Sequence, residues 1–329
     1  MSQISEDDLI KRFFAPLAAP GGLRLMDDAA LLRVPAGQDL VLTKDALVAG
    51  VHFFAHDPPA DIARKALRVN LSDLAAKGAD PVGFLLAIAL PKDWTSDWLG
   101  EFARGLGADA ASFGLALLGG DTVKTPGPLM VCITALGQVP QGTMVRRTGV
   151  QVGDSLYVTG TIGDAALGLR LRLGGAGDAA WIARLNPAAR DFLLNRYLLP
   201  QPRNALAKVL RAHAHAAMDV SDGFVGDMRK MLKASGMGGV VQLASAPFSR
   251  AAGEALALAP ALADVALTGG DDYEIICAVP QQRAVSFEAA VTTLGVALAR
   301  IGQAGGAEVR FLDAEGEAVA FATGSFSHF

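Results

Sequence analysis

Aspartates stand at the ends of apolar runs throughout the sequence, usually before a small residue. Turn chemistry explains any one of them, because Asp and Gly are common turn formers. The whole set is harder to explain in this way, since a carboxylate next to a buried strand needs cationic compensation. The carboxylates concerned are Asp27, Asp28, Asp45, Asp73, Asp121, Asp219, Asp222, Asp271 and Asp272.

A divalent cation is the simplest compensation for such a set. Magnesium prefers oxygen ligands and keeps several waters while it bridges to substrate phosphates. Phosphoryl transfer needs mainly the positioning of two phosphates and the neutralisation of their charge. The aspartate pattern therefore indicates a magnesium-dependent enzyme that handles phosphates, with ordinary surface turns as the alternative.

Four other residues could take part in such chemistry, and each has a structural alternative. Arg147 in RRTG could bind phosphate oxygens through its guanidinium, or it could belong to an exposed basic turn. His52 ends a predicted strand and could be structural. Phe113 could stack on a base or pack in the core. Ser221 could donate to a phosphate or cap the helix that follows it.

Several common nucleotide and hydrolase motifs are missing. No glycine precedes a lysine, so the sequence contains no P-loop. It contains no GxSxG nucleophile elbow and no HExxH metal motif. The segment GAGDAA at 175–180 follows a predicted helix rather than a strand, which argues against a dinucleotide fingerprint. A nucleotide must therefore be bound in another way.

The composition excludes further classes. A chain of 329 residues with 51% hydrophobic residues can form two domains with large cores. The net charge of −4 argues against nucleic-acid binding. The longest apolar run, 82–90, is too short to span a membrane. The amino terminus has no signal-peptide pattern, and the cysteines Cys132 and Cys277 form no motif, so we expect a cytoplasmic protein.

Hydrophobic periodicity predicts a mixture of helices and strands rather than a strict alternation, which favours two α+β domains. A polar, glycine-rich stretch near 140–150 predicts domains at 1–145 and 146–329. The region 39–53 is expected to form two strands with a polar interruption, and 174–190 a polar connector. Further predicted elements are helices at 4–14, 60–78, 95–113, 203–213 and 224–235, and strands at 82–90, 115–118, 129–137 and 215–220.

Taken in order, these motifs resemble those of the thiamine-monophosphate kinases. That family belongs to the superfamily of aminoimidazole-ribonucleotide synthetase and selenophosphate synthetase. The resemblance extends over nearly the whole chain, and the combination of its motifs is specific. The matching segments are DDAALL, TKDALVAGVHF, KALRVNLSDLAAKGADP, LLGGDT, RRTG, GDSLYVTGTIGDAALGL, MDVSDGFVGD, GGDDYE and the terminal HF.

The resemblance implies a reaction in which ATP phosphorylates thiamine phosphate to thiamine diphosphate by direct transfer, without a covalent nucleophile. It implies that several Mg²⁺ ions are bound by Asp28, Thr43, Asp45, Asp73, Asp121, Asp219 and Asp222. It implies ATP binding by Phe113, Gly120, Asp121, Arg147 and Ser221. It implies substrate binding by His52, Asp271 and Phe326.

The resemblance also implies a fold and an assembly, namely the two-domain ATP-binding fold of the aminoimidazole-ribonucleotide-synthetase type. In that fold the amino-terminal domains of a homodimer form a shared β-barrel. Three residues depart from the family pattern: Met26 replaces Gly, Lys44 replaces a Thr that can bind magnesium, and Asp271 replaces Glu. Another ATP-dependent synthetase of the superfamily, or a nucleotide-binding module without kinase activity, is the alternative.

Overall fold

The computed structural model describes residues 5–321 and residue 325, and its described residues divide into two compact units. The first unit comprises the described residues of 1–74 together with 79–144. The second comprises 75–78 and the described residues from 145 onwards. The last residues of one long helix of the amino-terminal half, Pro59–Ala76, therefore belong to the second unit.

The first unit combines long helices with a mixed sheet. In chain order, its helices and strands are α1 (Glu6–Leu9), β1 (Gln38–Val48), α2 (Pro59–Ala76), β2 (Asp80–Leu90), α3 (Ser96–Phe113), β3 (Ala116–Lys124) and β4 (Met130–Pro140). A single π-helical turn extends α1 over Ile10–Phe14. Thr95 caps the start of α3 by accepting a hydrogen bond from the Trp98 amide at 3.1 Å, and the left-handed Gly114 ends it.

The sheet of the first unit is open. Within the described residues its strand order is β1-β4-β2-β3, with β4 antiparallel to both neighbours and β2 parallel to β3. One face packs into the core, where the side chains of Phe84, Ile88 and Ile133 are fully buried. Among residues 5–321 the strands of this sheet do not close into a barrel, and β1 and β3 form its two edges.

The expected interruption in the region 39–53 is wrong, because β1 is one continuous strand. It pairs with β4 without a break, from the pair Gln38 and Pro140 to the pair Val48 and Met130. The ladder pairs the backbone of the polar residues in the middle of β1. Their side chains alternate between the two faces of the sheet, so a short polar run does not end the strand.

The second unit contains a larger sheet surrounded by helices. Its helices are α4 (Asp164–Leu173), α5 (Ala179–Ile182), α6 (Pro187–Leu198), α7 (Ala207–His213), α8 (Phe224–Ala234), α9 (Arg250–Leu258), α10 (Leu262–Thr268) and α11 (Ala284–Thr293). Its strands are β5 (Ser155–Thr159), β6 (Ala216–Asp219), β7 (Gly239–Gln242), β8 (Ile275–Val279), β9 (Leu298–Ala304) and β10 (Val309–Leu312). The strand order among described residues is β10-β7-β9-β5-β8-β6.

The polar connector expected at 174–190 is also wrong, since this stretch contains α5 and the start of α6. Asn186 caps α6 by accepting a hydrogen bond from the Ala188 amide at 2.9 Å, and Pro187 occupies the first turn. Leu193 and Tyr197 are buried beside α4 and α9. Tertiary packing therefore stabilises a helix whose own sequence is only weakly amphipathic.

In the part of the chain that the structure describes, no helix is long and apolar enough to cross a membrane.

Candidate active site

Three of the candidate aspartates of the first unit lie inside regular elements rather than in turns. Asp45 is in the middle of β1, Asp73 is in α2 and Asp121 is in β3. Aspartate is disfavoured in helix interiors and in strands. Turn formation therefore does not account for these three residues, and a binding role explains their positions better.

The structure brings Thr43 and Asp73 together. The Thr43 hydroxyl donates a short hydrogen bond to the Asp73 carboxylate, which links β1 to α2. Asp45 lies two residues further along β1, so its side chain projects from the same face of the sheet as that of Thr43. All three side chains are half-buried. They provide hydroxyl and carboxylate oxygens on one side of the sheet.

Asp121 lies on the opposite face of the same sheet. The register pairs it with Ala87, and Ala87 with Cys132, which faces the same way as Lys44. Gly120 precedes it at a close approach of two strands, where a Cβ atom would lie 1.8 Å from the carbonyl oxygen of Leu86. Only glycine fits at position 120. Asp121 is exposed, and the backbone beside it is not covered by a side chain of residue 120.

A groove of about 770 Å³ runs along this face of the first unit. Asp28 and Asp121 line it from separate segments, together with Lys44 and Thr134. An ammonium group beside two carboxylates can bind a phosphate oxygen, whereas it would repel a metal ion at its own position. Lys44, which replaces a possible magnesium ligand of the family, is therefore a candidate for binding phosphate in the groove.

His52 has a defined tautomer. Its Nδ1 atom accepts a hydrogen bond from the Val48 amide at 3.0 Å, so the ring proton of the neutral form is on Nε2. The buried Lys65 ammonium donates to the carbonyl oxygen of His52 at 3.0 Å and fixes its backbone. His52 therefore presents an N–H donor, which suits a phosphate or another oxygen acceptor.

Phe113 ends α3 and lies beside a cation. The Arg68 guanidinium carbon is 5.8 Å from the centre of the Phe113 ring, and Arg68 also binds the buried carboxylate of Asp109, at 2.5 and 3.0 Å. Strand β3 begins three residues after Phe113, and Asp121 lies five residues further along it, which is roughly 16 Å of strand. The base-stacking role of Phe113 stays a prediction.

In the second unit, β6 ends at the buried Asp219, and the loop that follows carries Ser221 and Asp222. The Asp222 carboxylate pairs with the Lys230 ammonium at 2.5 Å, and the same ammonium lies 2.9 Å from the buried Asp227. Burial alone would lower the pKa of Lys230, but its hydrogen bonds to both carboxylates outweigh burial and raise it. Burial also raises the pKa of Asp227.

Asp271 lies against this loop. Its amide donates to the carbonyl oxygen of Ser221 at 2.9 Å. The preceding Gly270 allows this contact, since a Cβ atom there would lie 2.3 Å from the same oxygen. The structure thus places three candidate residues, Ser221, Asp222 and Asp271, around two adjoining loops of the second unit.

Arg147 is exposed and lies next to β6. The carbonyl oxygen of Arg146 accepts a hydrogen bond from the Ala217 amide at 3.0 Å. Ala217 is two residues before Asp219, a distance of roughly 7 Å along a strand. Gly149, two residues further along, lies against the carbonyl oxygen of His215, so Arg147 lies beside the start of β6, whereas Asp219 is at its end.

Phe326, predicted to contact the substrate, lies outside the described residues. Within residues 5–321, no group of three or more His, Cys, Asp or Glu side chains is close enough to hold a metal ion. Magnesium commonly binds through one or two carboxylates with phosphates and waters completing its coordination, so oxygen pairs such as Thr43 and Asp73 still fit it.

Sequence reasoning missed the groups that support these loops. Lys230 and Asp227 carried a local signal, because a helix brings residues three apart to one face. Arg196 and Arg203 form an ion cluster with the buried Glu274 behind the Asp271 turn, and both arginines are more than seventy residues from Glu274 in the sequence. No spacing rule predicts such a cluster.

Both halves of the chain match models of known families. Residues 26–139 match the AIR synthase related protein, N-terminal domain, and residues 151–313 match the corresponding C-terminal domain. A thiamine-monophosphate kinase of Caulobacter vibrioides is 45% identical over 304 residues, covering 91% of this chain and 84% of the relative.

Solved structures agree with these matches. Thiamine-monophosphate kinase from Stenotrophomonas maltophilia K279a is 40% identical, with a TM-score of 0.78, and the match covers 90% of this chain and 91% of that one. A structure described as AaThiL complexed with AMPPCP and TMP is 26% identical, with a TM-score of 0.77, over 100% of this chain and 98% of that one. The two-domain architecture of this superfamily is therefore shared.

Proposed function

Because the chain belongs to the family of thiamine-monophosphate kinases, we infer that it is a kinase that transfers a phosphoryl group from ATP to thiamine phosphate. The 45% identity to such a kinase over 91% of the chain carries this conclusion. The relative described as a complex with AMPPCP and TMP supports ATP and the thiamine ester as the two substrates. A superfamily synthetase or an inactive module is disfavoured by the same identity.

We assign the magnesium sites to carboxylates of both units. In the first unit, Asp73, Asp45 and the Thr43 hydroxyl form one set of oxygen donors, and Asp28 and Asp121 form another along the groove. In the second unit, Asp219 and Asp222 are the candidates. Bound magnesium would screen the repulsion between the two phosphates.

We assign ATP binding to residues whose accessible backbone or side chain can contact the phosphates or the base of the nucleotide. Gly120 exposes backbone beside Asp121, and Lys44 lines the same groove. Arg147 is exposed and can bind phosphate oxygens bidentately. Ser221 offers a hydroxyl on the loop after β6. Phe113 stays the candidate for stacking on the base.

The acceptor is assigned to His52 and Asp271. The Nε2–H donor of His52 suits an ester phosphate. Asp271 offers a carboxylate, so we propose that it faces the cationic ring of thiamine rather than the phosphate. The acceptor phosphate oxygen then attacks the γ-phosphorus of ATP directly, and the protein aligns the two groups.

The function is tested with the purified full chain, ATP, thiamine phosphate and magnesium chloride. The expected products are ADP and thiamine diphosphate in equal amounts, separated by chromatography. Unphosphorylated thiamine should not serve as acceptor, and EDTA should stop the reaction. ATP with chiral γ-phosphorus should give inverted product. ADP release without thiamine diphosphate would contradict the assignment.

We further propose that two copies pair through the open sheet of the first unit. On one face of this sheet, Leu42, Leu85 and Val123 are 60%, 39% and 47% exposed. These exposed apolar side chains share their face with Lys44 and Asp121 of the groove, and together with the open edges of the sheet they form an association surface. Pairing of two sheets of this kind would produce the shared barrel that the family resemblance implies.

Sedimentation at micromolar concentration should therefore show a dimer. Leu42→Glu would place charge on the apolar face and should shift the protein to monomer, whereas the exposed Leu173→Glu in the second unit should not. A wild-type monomer under these conditions would exclude the dimer.

A further inference from the structure

We propose that the ion pair between Arg203 and the buried Glu274 positions Asp271 for binding of the acceptor substrate. The inference rests on the proposed function, because it assigns the task that Asp271 performs. Neither Arg203 nor Glu274 reaches the substrate in this view. Both act through the shape of the turn between α10 and β8.

The turn alternates between buried and accessible residues. Asp272 and Glu274 are 1% and 0% exposed, whereas Asp271 and Tyr273 are half-exposed. Asp271 and Tyr273 have positive φ angles of 72° and 52°. Side chains with a Cβ atom disfavour this left-handed region, so the surrounding contacts must hold the turn in place.

The first of these contacts is the carboxylate of Glu274. Its Oε2 atom accepts hydrogen bonds from Arg203 Nε at 2.6 Å and Thr159 Oγ1 at 2.8 Å. Its Oε1 atom accepts from Arg196 at 3.0 Å and from a second nitrogen of Arg203. The carboxylate lies so close to Gly160 that a Cβ atom there would be 2.0 Å from Oε1.

The second contact is the carboxylate of Asp272. It accepts a hydrogen bond from the Gly163 amide at 2.7 Å and a longer one from the Ala165 amide at 3.4 Å. These amides belong to the start of α4, where the first N–H groups have no partner within the helix and need an acceptor oxygen. The inward-facing carboxyl groups of Asp272 and Glu274 therefore anchor the residues on either side of Tyr273.

The outward side of the turn is bonded to the loop after β6. The Tyr273 amide donates to the carbonyl oxygen of Val220 at 2.8 Å, and the Asp271 amide donates to that of Ser221 at 2.9 Å. A shift of Glu274 moves this short segment as a unit. Such a shift would strain these two hydrogen bonds and displace Asp271.

Arg203 is the best place to perturb this arrangement. Its side chain is 23% exposed, so a substitution is better tolerated there than at the fully buried Glu274. Lysine keeps the positive charge but cannot make the two parallel hydrogen bonds of a guanidinium. Arg203→Lys should loosen the turn without leaving Glu274 unpaired. Arg170→Lys is the matched control, because Arg170 binds the buried Asp178 at 2.9 Å in the same unit.

The test is a double-mutant cycle with Arg203→Lys and Asp271→Asn in the full-length protein. We expect Arg203→Lys to raise KM for thiamine phosphate about tenfold, with little change in KM for ATP. We expect the double variant to be no worse than Asp271→Asn alone, because both changes remove one function. Additive losses, equal changes in both KM values, or an effect no larger than that of Arg170→Lys would overturn the proposal.

A second measurement does not depend on the reaction. Hydrogen exchange of the Asp271 and Tyr273 amides should be at least tenfold faster in Arg203→Lys than in the wild type and unchanged in Arg170→Lys. Unchanged exchange at both amides would overturn the positioning role. A wild-type protein that makes no thiamine diphosphate would refute the proposed function instead, and the exchange experiment would still decide whether Arg203 holds the turn.

Discussion

Asp73→Asn should separate catalysis from folding. Asp73 is half-buried on α2 and accepts a hydrogen bond from the Thr43 hydroxyl. Asparagine keeps an acceptor oxygen at nearly the same position, so the bond changes from a charge-assisted one to a neutral one. Charged hydrogen bonds contribute roughly 1.5–3 kcal/mol and neutral ones about 0.5–1.5, so unfolding should become easier by only about 1 kcal/mol.

The effect on turnover should be much larger. Removing the charge of a carboxylate from a site that binds metal and polyphosphate weakens the interactions that stabilise the transition state. We expect kcat/KM for thiamine phosphate to fall at least a hundredfold, which corresponds to about 2.7 kcal/mol. The assay is coupled ADP release at saturating ATP and varied magnesium, together with a urea unfolding curve.

Asp39→Asn is the matched control for this experiment. Asp39 is in β1 of the same unit, is half-buried, and accepts a hydrogen bond from the Gly142 amide at 2.8 Å. It should show the same small loss of stability with turnover close to that of the wild type. Near-normal activity of Asp73→Asn, or an equal loss in both variants, would show that the assignment of Asp73 to a magnesium site is wrong.

Three further outcomes are expected. Arg147→Ala should raise KM for ATP roughly ten- to a hundredfold by removing a charge-assisted phosphate contact, while the neighbouring Arg146→Ala should have little effect in the same kinetic assay. Gly160→Ala should destabilise the second unit by about 3 kcal/mol in urea unfolding, because the new methyl group needs a left-handed backbone, at a φ of 57°, and displaces the Glu274 carboxylate. Burial raises the pKa of Asp272 well above its ordinary value, so the folded state binds the carboxyl proton of Asp272 more tightly than the unfolded state does. The free energy of unfolding of the wild type relative to Asp272→Asn should therefore be highest near pH 4 and fall as the pH rises toward 7. Urea unfolding curves across that pH range measure this difference.

The types of chemistry at the site could be predicted from the sequence, because they depend on residues that stand in local motifs. The aspartates and Arg147 indicated magnesium and phosphate from their types and positions alone; ATP as a substrate agrees with the relatives, and magnesium stays a prediction. The long helices α2 and α3 were also predictable, since each carries its apolar residues at helical spacing. The family resemblance added the substrate, which no single residue type indicates.

Local pattern failed where tertiary packing outweighs it. A polar pair in the middle of β1 suggested an interruption, but the continuous ladder with β4 satisfies the backbone there. The region containing α6 looked polar, although Leu193 and Tyr197 are buried between helices that are distant in sequence.

Only the tertiary structure decided how the candidate residues are grouped and supported. Strand register placed Thr43 on one face of the first sheet and Asp121 on the other, because a shift of one residue reverses every side chain. Packing of the second unit brings Arg196 and Arg203 into one ion cluster with Glu274, which lies more than seventy residues further along the chain. Sequence determines which groups can bind a phosphate or a metal, whereas long-range packing determines where they meet, since contacts between distant segments leave no periodic signal in the chain.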